Sequence, residues 1–245
     1  MVEIKKVNFK QSLSVVIPLH NKVSNIESTL NQVIGYIESP DLQIIVIENG
    51  STDLSKKVTQ TYIDNAPKHI DINLYESPKG LGNALKEGFK YCKNEWIYFV
   101  PADFTFGNSE ILYVNSNNLY DRYDLFIGSK THKNSEIKRS KSRIVYSFLL
   151  NSVLKAVFSI PYGDTQGTIL FRTKMQNDIG YIKTKEFLFT TEFIVRAHRS
   201  KKNILEVPVV DLGIDTKSTV KPFRDGLKML INIFKLKIQI IFDSK

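Results

Sequence analysis

The sequence predicts an α/β fold in which a mostly parallel central sheet is flanked by helices, and two segments carry most of that prediction. The apolar runs 12–19 and 42–48 are each typical of a short strand that is buried on both faces. Each run ends in a polar loop that leads into helical periodicity, which gives the order strand, helix, strand. Because ligands bind at the carboxyl ends of parallel strands, these loops predict a binding site at that edge of the sheet.

The first half of the chain continues this alternation. The stretch at about 22–38 carries apolar residues along one side of a helix, and the helix at about 53–65 has Asp53 as its predicted N-cap and ends before Pro67. The other elements follow from apolar runs and helical spacing: strands at 70–75, 96–100 and 124–128, and helices at about 80–93 and 108–119. Alternation of this kind favours right-handed crossovers between parallel strands.

The second half is richer in helix. Strands are predicted at 168–171 and 204–209, and helices at 138–158, 186–199 and 222–242. The final helix has one narrow polar stripe, formed by Lys228, Asn232, Lys235 and Gln239. The rest of its surface is almost entirely apolar, which suits either packing on the protein's own core or a helix lying in a membrane interface.

Composition limits the classes of protein that fit. The chain has 245 residues without a linker-like or repeated segment, so we expect one domain over 1–245. Its net charge of +9 predicts an anionic partner, either a membrane surface or phosphorylated substrates, and the lack of a recognisable motif disfavours nucleic acid. No signal segment or bilayer-length apolar run is evident, so we expect a soluble or peripheral protein, cytoplasmic or on the cytoplasmic face of the membrane.

Motifs across nearly the whole chain resemble those of one enzyme family. The first four are VVIPLHNK at 15–22, IIVIENGSTD at 44–53, KGLGNAL at 79–85 and FVPAD at 99–103. Together they resemble the inverting nucleotide-sugar glycosyltransferases of the GT-A fold, family 2. Four later motifs resemble the branch that loads sugars onto polyprenyl phosphates: GSK at 128–130, KRS at 138–140, DTQG at 164–167 and EVPV at 206–209. Within that branch, the tail TKSTV at 216–220 resembles the dolichyl-phosphate glucosyltransferases and mannosyltransferases.

Three acidic positions of the family pattern are altered in this chain. Lys22 stands where the family usually has Glu, and Glu48-Asn49 stands for Asp-Asp. Pro101 replaces the first Asp of the Asp-x-Asp motif, so only Asp103 remains. These departures leave the fold prediction intact but put the donor and metal assignments in question.

The resemblance implies a donor side in the half at about 12–128, which would bind a nucleotide-sugar. Asp103 is the catalytic carboxylate and the ligand of Mg²⁺ or Mn²⁺ that it implies, and the metal would bridge the donor phosphates. Lys22 would place a cation beside the same diphosphate, and His20 would stack on or hydrogen-bond the base. The full donor set is Pro18, His20, Asn21, Lys22, Glu48, Asn49, Gly82 and Asp103.

The half at about 129–245 is predicted to bind the acceptor, a polyprenyl phosphate, and to carry the membrane-associated helices. A phosphate acceptor is already an anion, so it needs cations that hold it in line rather than a general base. Lys130, Arg139, Arg143 and Gln166 are the predicted acceptor ligands. Asp164 and Arg139 are the further catalytic candidates; Glu192 is a weaker candidate beneath the site. The sequence does not determine the oligomeric state, and a homo-oligomer is one possible state.

Three alternatives remain at this point. A family 2 enzyme acting on a saccharide hydroxyl would need a carboxylate base, for which Asp164 is the candidate. A non-catalytic nucleotide-sugar-binding protein in a glycan assembly complex would account for the lost acidic residues. Gly80-x-Gly82 followed by Asp103 weakly resembles a dinucleotide-binding motif, but Leu85 replaces its third glycine and the motif does not follow the first strand.

Overall fold

The computed structural model describes residues 4–138, 141–186, 188–213 and 222–243. The side chains of 141–143 and 222–228 lie outside that description. The predictions made for Arg139, for the Arg143 side chain and for the motif at 216–220 therefore lie outside the described residues.

All seven predicted strands are present and form one seven-stranded sheet, beside which two short strands that were not predicted form a second sheet. The strands are β1 Val7–Asn8, β2 Leu13–Leu19, β3 Ile37–Glu38, β4 Leu42–Glu48, β5 Asp71–Glu76, β6 Trp96–Phe99, β7 Leu125–Ser129, β8 Ile169–Arg172 and β9 Ile204–Pro208. The large sheet has the order β5-β4-β2-β6-β8-β7-β9, and β1 pairs with β3. Every pair is parallel except the two made by β8, which runs antiparallel to β6 and β7. The prediction of a mostly parallel sheet is confirmed.

The helices also follow the predicted order. They are α1 Ile26–Tyr36, α2 Ser55–Asn65, α3 Leu81–Lys90, α4 Ser109–Ser116, α5 Lys141–Phe158, α6 Met175–Asp178, α7 Phe189–Arg199 and α8 Pro222–Phe242. The bounds predicted for β4 and α8 agree with the structure, whereas most other helices begin or end a few residues inside the predicted range. Asp53 is not the N-cap of α2, since Leu54 holds that position. Its carboxylate nevertheless accepts the Ser55 N–H at 2.9 Å in the first turn.

Apolar side chains cover both faces of the large sheet, which explains why its central strands are buried. On one face, α1 and α4 contribute fully buried residues such as Leu30 and Ile111. On the other face, α3 and α7 pack Leu85, Phe89 and Phe193 against the strands. This double coverage leaves the loops at the carboxyl ends of the parallel strands as the open edge of the molecule.

Helices α5 and α8 form a separate apolar layer. Their starts meet where the Tyr146 hydroxyl donates to Met229 Sδ, and the Lys237 ammonium lies 5.9 Å from the Phe158 ring further along both helices. The two helices therefore run in the same direction. Side chains buried between them and against α7 are Leu154, Phe158, Val195, Met229, Ile233, Leu236 and Ile240.

The opposite surface of this helix pair is also apolar, and it is exposed. On α8 the exposed residues lie roughly 150° around the helix from the buried ones. The exposed side chains are Ile144, Val145, Phe148 and Leu149 on α5, and Leu230, Ile231, Phe234, Ile238, Ile241 and Phe242 on α8. We call this set the α5–α8 apolar face. Within the described part of the chain, no helix combines the length and the apolar character that a bilayer crossing requires.

Candidate active site

A cavity of about 570 Å³ lies at the carboxyl ends of β2, β4 and β6, where the sequence places the donor site. These strands pair in parallel, with β2 between the other two, so their following loops meet at one edge. The lining includes five of the predicted donor residues: Pro18, His20, Lys22, Asn49 and Asp103. The parallel register is therefore what brings together residues that are far apart in the sequence.

Hydrogen bonds hold the loops after β2 and β4 against each other. Asn21 Oδ1 accepts the Thr52 N–H at 2.7 Å, and the Asn21 N–H donates to Ser51 Oγ at 3.1 Å. Asn21 has a φ of 49°, in the left-handed region that asparagine tolerates better than most residues. The Asn21 side chain thus joins the two loops and does not line the cavity.

Two carboxylates, Glu48 and Asp53, accept backbone hydrogen bonds in and around the loop after β4. Glu48 is almost fully buried and accepts the Ser51 N–H at 2.5 Å. Burial acts to raise the pKa of Glu48, but hydrogen bonds from Ser51 and Gly50 and the charge of Lys56 outweigh it, so the pKa is lowered. The pKa of Asp53 is also lowered, because hydrogen bonds from Ser55 and Val23 outweigh its desolvation. Both groups stay ionised and stabilise the loop conformation.

Gly80, which precedes α3, lines the cavity, whereas Gly82, in the first turn of α3, contacts a neighbouring loop. Asn49 pairs with the Gly80 backbone in both directions: its Nδ2 donates to the Gly80 carbonyl at 3.3 Å, and its Oδ1 accepts the Gly80 N–H at 2.9 Å. The Gly82 N–H donates to the Lys185 carbonyl at 2.9 Å, and a Cβ on Gly82 would lie 2.5 Å from the Thr184 carbonyl oxygen. These glycines allow close backbone packing, which disfavours the dinucleotide-binding interpretation. Gly82 was predicted to belong to the donor site, but it does not line the cavity.

Asp103 lies on the cavity wall after β6 and is engaged by two donors. The Lys22 ammonium contacts Asp103 Oδ2 at 2.8 Å, and the Thr105 hydroxyl donates to Oδ1 at 2.5 Å. Burial would raise the pKa of Asp103, but the hydrogen bonds and charge of Lys22 and the Thr105 contacts outweigh it and lower the pKa. Asp103 is therefore an ionised carboxylate that faces the cavity with both oxygens in use.

The residues around Asp103 do not fit a resident divalent ion. Mg²⁺ and Mn²⁺ need oxygen ligands, yet Pro101 has no side-chain donor and its carbonyl accepts the Phe104 N–H at 2.8 Å. Across the described ranges, no group of three or more His, Cys, Asp or Glu side chains is placed to hold a metal ion. The assignment of Mg²⁺ or Mn²⁺ to Asp103 remains a prediction, and it requires that the donor diphosphate supply further ligands.

A second cluster contains the predicted acceptor residues Lys130, Asp164 and Gln166. The Lys130 ammonium contacts Asp164 Oδ2 at 2.6 Å and lies 5.9 Å from the Phe106 ring centre. Gln166 Nε2 donates to Thr191 Oγ1 at 2.5 Å. None of these three residues lines the donor cavity. The Phe106 ring that Lys130 approaches is only three residues after Asp103, so a short stretch of chain connects this cluster to the cavity.

Asp164 is more buried than a reacting carboxylate would be. Its side chain has no exposed surface, and its oxygens accept the backbone N–H groups of Lys130 and Gln166 at 2.9 and 3.0 Å. Burial acts to raise the pKa of Asp164, but the charge of Lys130 and these hydrogen bonds outweigh it, so the pKa is lowered. Asp164 therefore holds the Lys130 loop in place, and its burial argues against the role of a general base.

Glu192 also acts on a loop beside the site. This fully buried carboxylate accepts the N–H groups of Lys183 and Thr184 at 3.1 and 2.8 Å and pairs with Arg196. It thereby holds the segment that packs against Gly82. Its predicted place beneath the acceptor site and its role there both stay predictions.

Sequence reasoning missed two charged residues of the cavity lining, Lys79 and Glu186. Lys79 precedes the α3 glycines, and its position in the motif at 79–85 is the signal that could have identified it. Glu186 comes from the loop before α7, which reaches the cavity through the backbone contact with Gly82. A further cavity of about 630 Å³ lies between α3 and α7 and contains none of the predicted site residues.

Comparison with known sequences identifies the family. The profile described as Glycosyl transferase family 2 matches residues 14–180, more than half of the chain and all of the cavity lining except Glu186. The chain belongs to glycosyl transferase family 2. The predicted family resemblance is thus confirmed, and the protein is a glycosyltransferase by family.

Relatives from several organisms support this assignment. The chain is 27% identical to dolichyl-phosphate beta-glucosyltransferase of Saccharomyces cerevisiae over 92% of this chain and 71% of that protein. It is 26% identical to the same-named enzyme of Dictyostelium discoideum over 94% of this chain and 75% of that protein. It is also 26% identical to glycosyltransferase AglE of Haloferax volcanii, over 70% of this chain and 63% of that protein. The chain thus spans less than two thirds of the archaeal relative.

Solved structures confirm the fold class. Glucosyl-3-phosphoglycerate synthase from Mycobacterium tuberculosis, crystallised with Mn²⁺, uridine diphosphate and phosphoglyceric acid, has a TM-score of 0.67 to this chain. The similarity covers 94% of this chain and 78% of the synthase at 13% identity. At that identity it establishes the shared GT-A architecture, and the metal and ligands belong to the synthase.

Proposed function

We propose that this family 2 glycosyltransferase transfers a sugar, with inversion, from a nucleotide-sugar to a polyprenyl phosphate of the dolichyl type. The cavity at the ends of β2, β4 and β6, with Lys22 and Asp103 in its lining, is the observation that carries the donor part. The acceptor part is supported by the two dolichyl-phosphate beta-glucosyltransferases among the relatives.

The donor cavity has the chemistry that a nucleoside diphosphate requires. Lys22 and Lys79 supply positive charge for the diphosphate. Within the described residues His20 Nδ1 is buried without a hydrogen-bond partner, so the His20 ring is a candidate ligand for the base or the ribose. Transfer then breaks the bond between the anomeric carbon and the diphosphate oxygen, and the acceptor oxygen bonds to the opposite face of that carbon.

A phosphate acceptor fits the second cluster better than a hydroxyl acceptor does. A phosphate oxygen attacks as an anion and needs no base, whereas Asp164, the predicted base, is fully buried and hydrogen-bonded. Lys130 would contribute positive charge at the acceptor, together with Arg139 and Arg143. Transfer to a saccharide hydroxyl remains the second candidate, because Glu186 places another carboxylate in the cavity lining.

We further propose that the protein is peripheral, on the cytoplasmic face of an anionic membrane. The α5–α8 apolar face exposes ten large apolar side chains, more than isolated surface residues would account for. The net charge of +9 favours an anionic leaflet. A lipid-linked acceptor would be reached from such a surface without leaving the membrane.

Transfer assays with the purified protein test this function. Radiolabelled nucleotide-sugars that differ in base and sugar are offered with a polyprenyl phosphate or with an oligosaccharide, and the organic and aqueous products are counted. We expect label in the organic phase for one donor, and a loss of about 10²–10³-fold in kcat for Lys22→Ala. Lys93→Ala, at an exposed ion pair with Asp71, is the control that should retain activity.

The other outcomes discriminate among the alternatives. Label that moves only to the oligosaccharide would establish the hydroxyl acceptor and would contradict our proposal. No transfer, combined with calorimetric binding of a nucleotide-sugar, would identify a non-catalytic binding protein. No transfer and no nucleotide binding would contradict the donor site itself.

A further inference from the structure

We propose that the Lys22 ammonium, and not a divalent metal ion, neutralises the diphosphate of the donor, and that Asp103 positions this ammonium. The inference rests on the proposed donor site and specifies how that site handles charge. Three features carry it: the fixed backbone of Lys22, the rigid placement of Asp103 and the repulsion that a divalent ion would meet from the Lys22 ammonium.

The backbone of Lys22 is fixed on both sides. Its N–H donates to the buried Ser55 hydroxyl at 2.8 Å, and its carbonyl accepts the N–H groups of Asn25 and Ile26 at 2.9 and 3.0 Å. The side chain therefore starts from a rigid point at the cavity wall. Its ammonium reaches Asp103 while 30% of the side chain stays exposed, so it is open to a ligand in the cavity.

Asp103 is rigid as well. The turn that carries it is closed by the Phe104 N–H donating to the Pro101 carbonyl, and the adjoining Ala102 carbonyl accepts the Thr29 hydroxyl at 2.9 Å. Only 12% of the Asp103 side chain is exposed. A metal ion bound here would have to share an oxygen with Lys22 or with Thr105, because each oxygen already accepts a hydrogen bond.

Charge balance favours the ammonium over a metal ion. A divalent cation on Asp103 Oδ2 would lie next to the ammonium that contacts the same oxygen, and the two positive charges would repel. A diphosphate would instead contact the exposed part of the Lys22 side chain, whose ammonium Asp103 holds in place. The lining also holds one further positive residue, Lys79, and one further negative residue, Glu186.

The reaction balances with this arrangement. The acceptor phosphate oxygen forms a bond to the anomeric carbon, and the bond from that carbon to the diphosphate oxygen breaks. The electron pair stays on the departing diphosphate oxygen. The Lys22 ammonium stabilises that charge by a charge-assisted hydrogen bond and keeps its proton throughout.

Calorimetry with nucleoside diphosphates tests the inference apart from turnover. UDP, GDP, ADP and CDP are titrated into the full chain with EDTA and, separately, with excess Mn²⁺. We expect one of them to bind with the same affinity in both buffers and Lys22→Ala to weaken that binding about 10–100-fold, with Lys93→Ala unchanged. The loss in Lys22→Ala/Asp103→Ala should equal that of Lys22→Ala alone, since Asp103 acts through Lys22.

A gain of metal dependence gives the opposite test. Lys22→Gln removes the ammonium, and Pro101→Asp adds a carboxylate two residues from Asp103, so the double variant should bind the same nucleotide only with Mn²⁺. Circular dichroism verifies that the variants are folded. Electron paramagnetic resonance of Mn²⁺ alone should show no binding to the wild-type protein.

The possible failures are distinguishable. Mn²⁺ binding by the wild-type protein, or nucleotide binding that requires Mn²⁺, would overturn this inference and leave the proposed function standing. Failure of all four nucleotides in both buffers would overturn the proposed donor site and the inference with it.

Discussion

At the scale of single residues, the two carboxylates of the site differ in what surrounds them. Asp103 lies in a cavity wall and shares its oxygens between one cation and one hydroxyl. Asp164 has no exposed surface and receives two backbone N–H groups as well as the Lys130 ammonium. One is accessible to a ligand, while the other serves mainly to fix a loop.

Replacing Asp164 by Asn should therefore lower stability. A buried cation that loses its anionic partner typically costs about 3–5 kcal/mol in the free energy of unfolding. Urea unfolding followed by circular dichroism measures this change. Lys6→Ala, which breaks the exposed pair with Glu38, is the control and should have a small effect. An equally small effect of Asp164→Asn would contradict the structural role.

The same pair predicts a pH dependence of stability. The folded pKa of Asp164 is lowered, so the unfolded chain takes up its proton first as the pH falls. The stabilisation is thus fully present above about pH 4 and is lost as the pH falls through the lowered value. Between pH 6 and 3 the unfolding free energy of the wild type should fall more steeply than that of Asp164→Asn. Parallel curves for the two proteins would exclude this contribution.

Single site residues were predictable where a strand end determines their position. Pro18 lies near the end of β2, and His20 and Asp103 follow strands that the apolar pattern locates; all three line the cavity. Glu186 was not predictable, because the contact of its loop with Gly82 depends on tertiary packing. The hydrogen bonds between the Asn49 side chain and the Gly80 backbone were not predicted, for the same reason.

At the scale of elements, the N-terminus of α3, beside the cavity, contacts the loop at 184–186 from the second half of the chain. Gly82→Ala would place a Cβ 2.5 Å from the Thr184 carbonyl oxygen and 2.8 Å from the Lys185 carbonyl carbon. Because both neighbours are backbone atoms, we expect a loss of about 1–3 kcal/mol in the free energy of unfolding.

Gly35→Ala is the matched control for this substitution. Gly35 lies within α1, and a Cβ there meets no atom within 4 Å. Alanine should stabilise the protein by about 0.5–1 kcal/mol, because it restricts the unfolded chain and favours helix. Denaturant unfolding of both variants should therefore give changes of opposite sign; the same sign for both would contradict the packing argument.

Elements with a strong period were predicted well, and those without one were not. The seven-residue β4, with its apolar run at 44–47, and the long amphipathic α8 were located correctly. The two-residue strands β1 and β3 and the four-residue α6 are too short to show a period. The antiparallel direction of β8 was not predicted, because strand direction depends on the path of the connections and leaves no trace in the apolar pattern.

At the scale of the whole molecule, the α5–α8 apolar face and the net positive charge predict binding to anionic vesicles. Flotation with phosphatidylglycerol-containing vesicles should recover the wild type, and added salt should weaken binding. Phe148→Ser/Phe234→Ser removes two exposed aromatic side chains and should reduce the floated fraction severalfold.

Leu54→Ser is the control for this experiment, since Leu54 is equally exposed at the start of α2, away from the helix pair. Its recovery should match the wild type. Equal flotation of the Phe148/Phe234 double variant would contradict a membrane role for this face, and equal binding to uncharged vesicles would contradict the contribution of the net charge.

The insertion of β8 between β6 and β7 also constrains how the chain can assemble during synthesis. In the large sheet β7 touches only β8 and β9, both of which are encoded after it. A nascent chain that has reached α5 can join β5, β4, β2 and β6, but β7 still lacks both neighbours. The strands that lead into the loops after β2, β4 and β6 can thus pair before the sheet beside the second cluster is complete, while the cavity at their ends still lacks the Glu186 part of its lining.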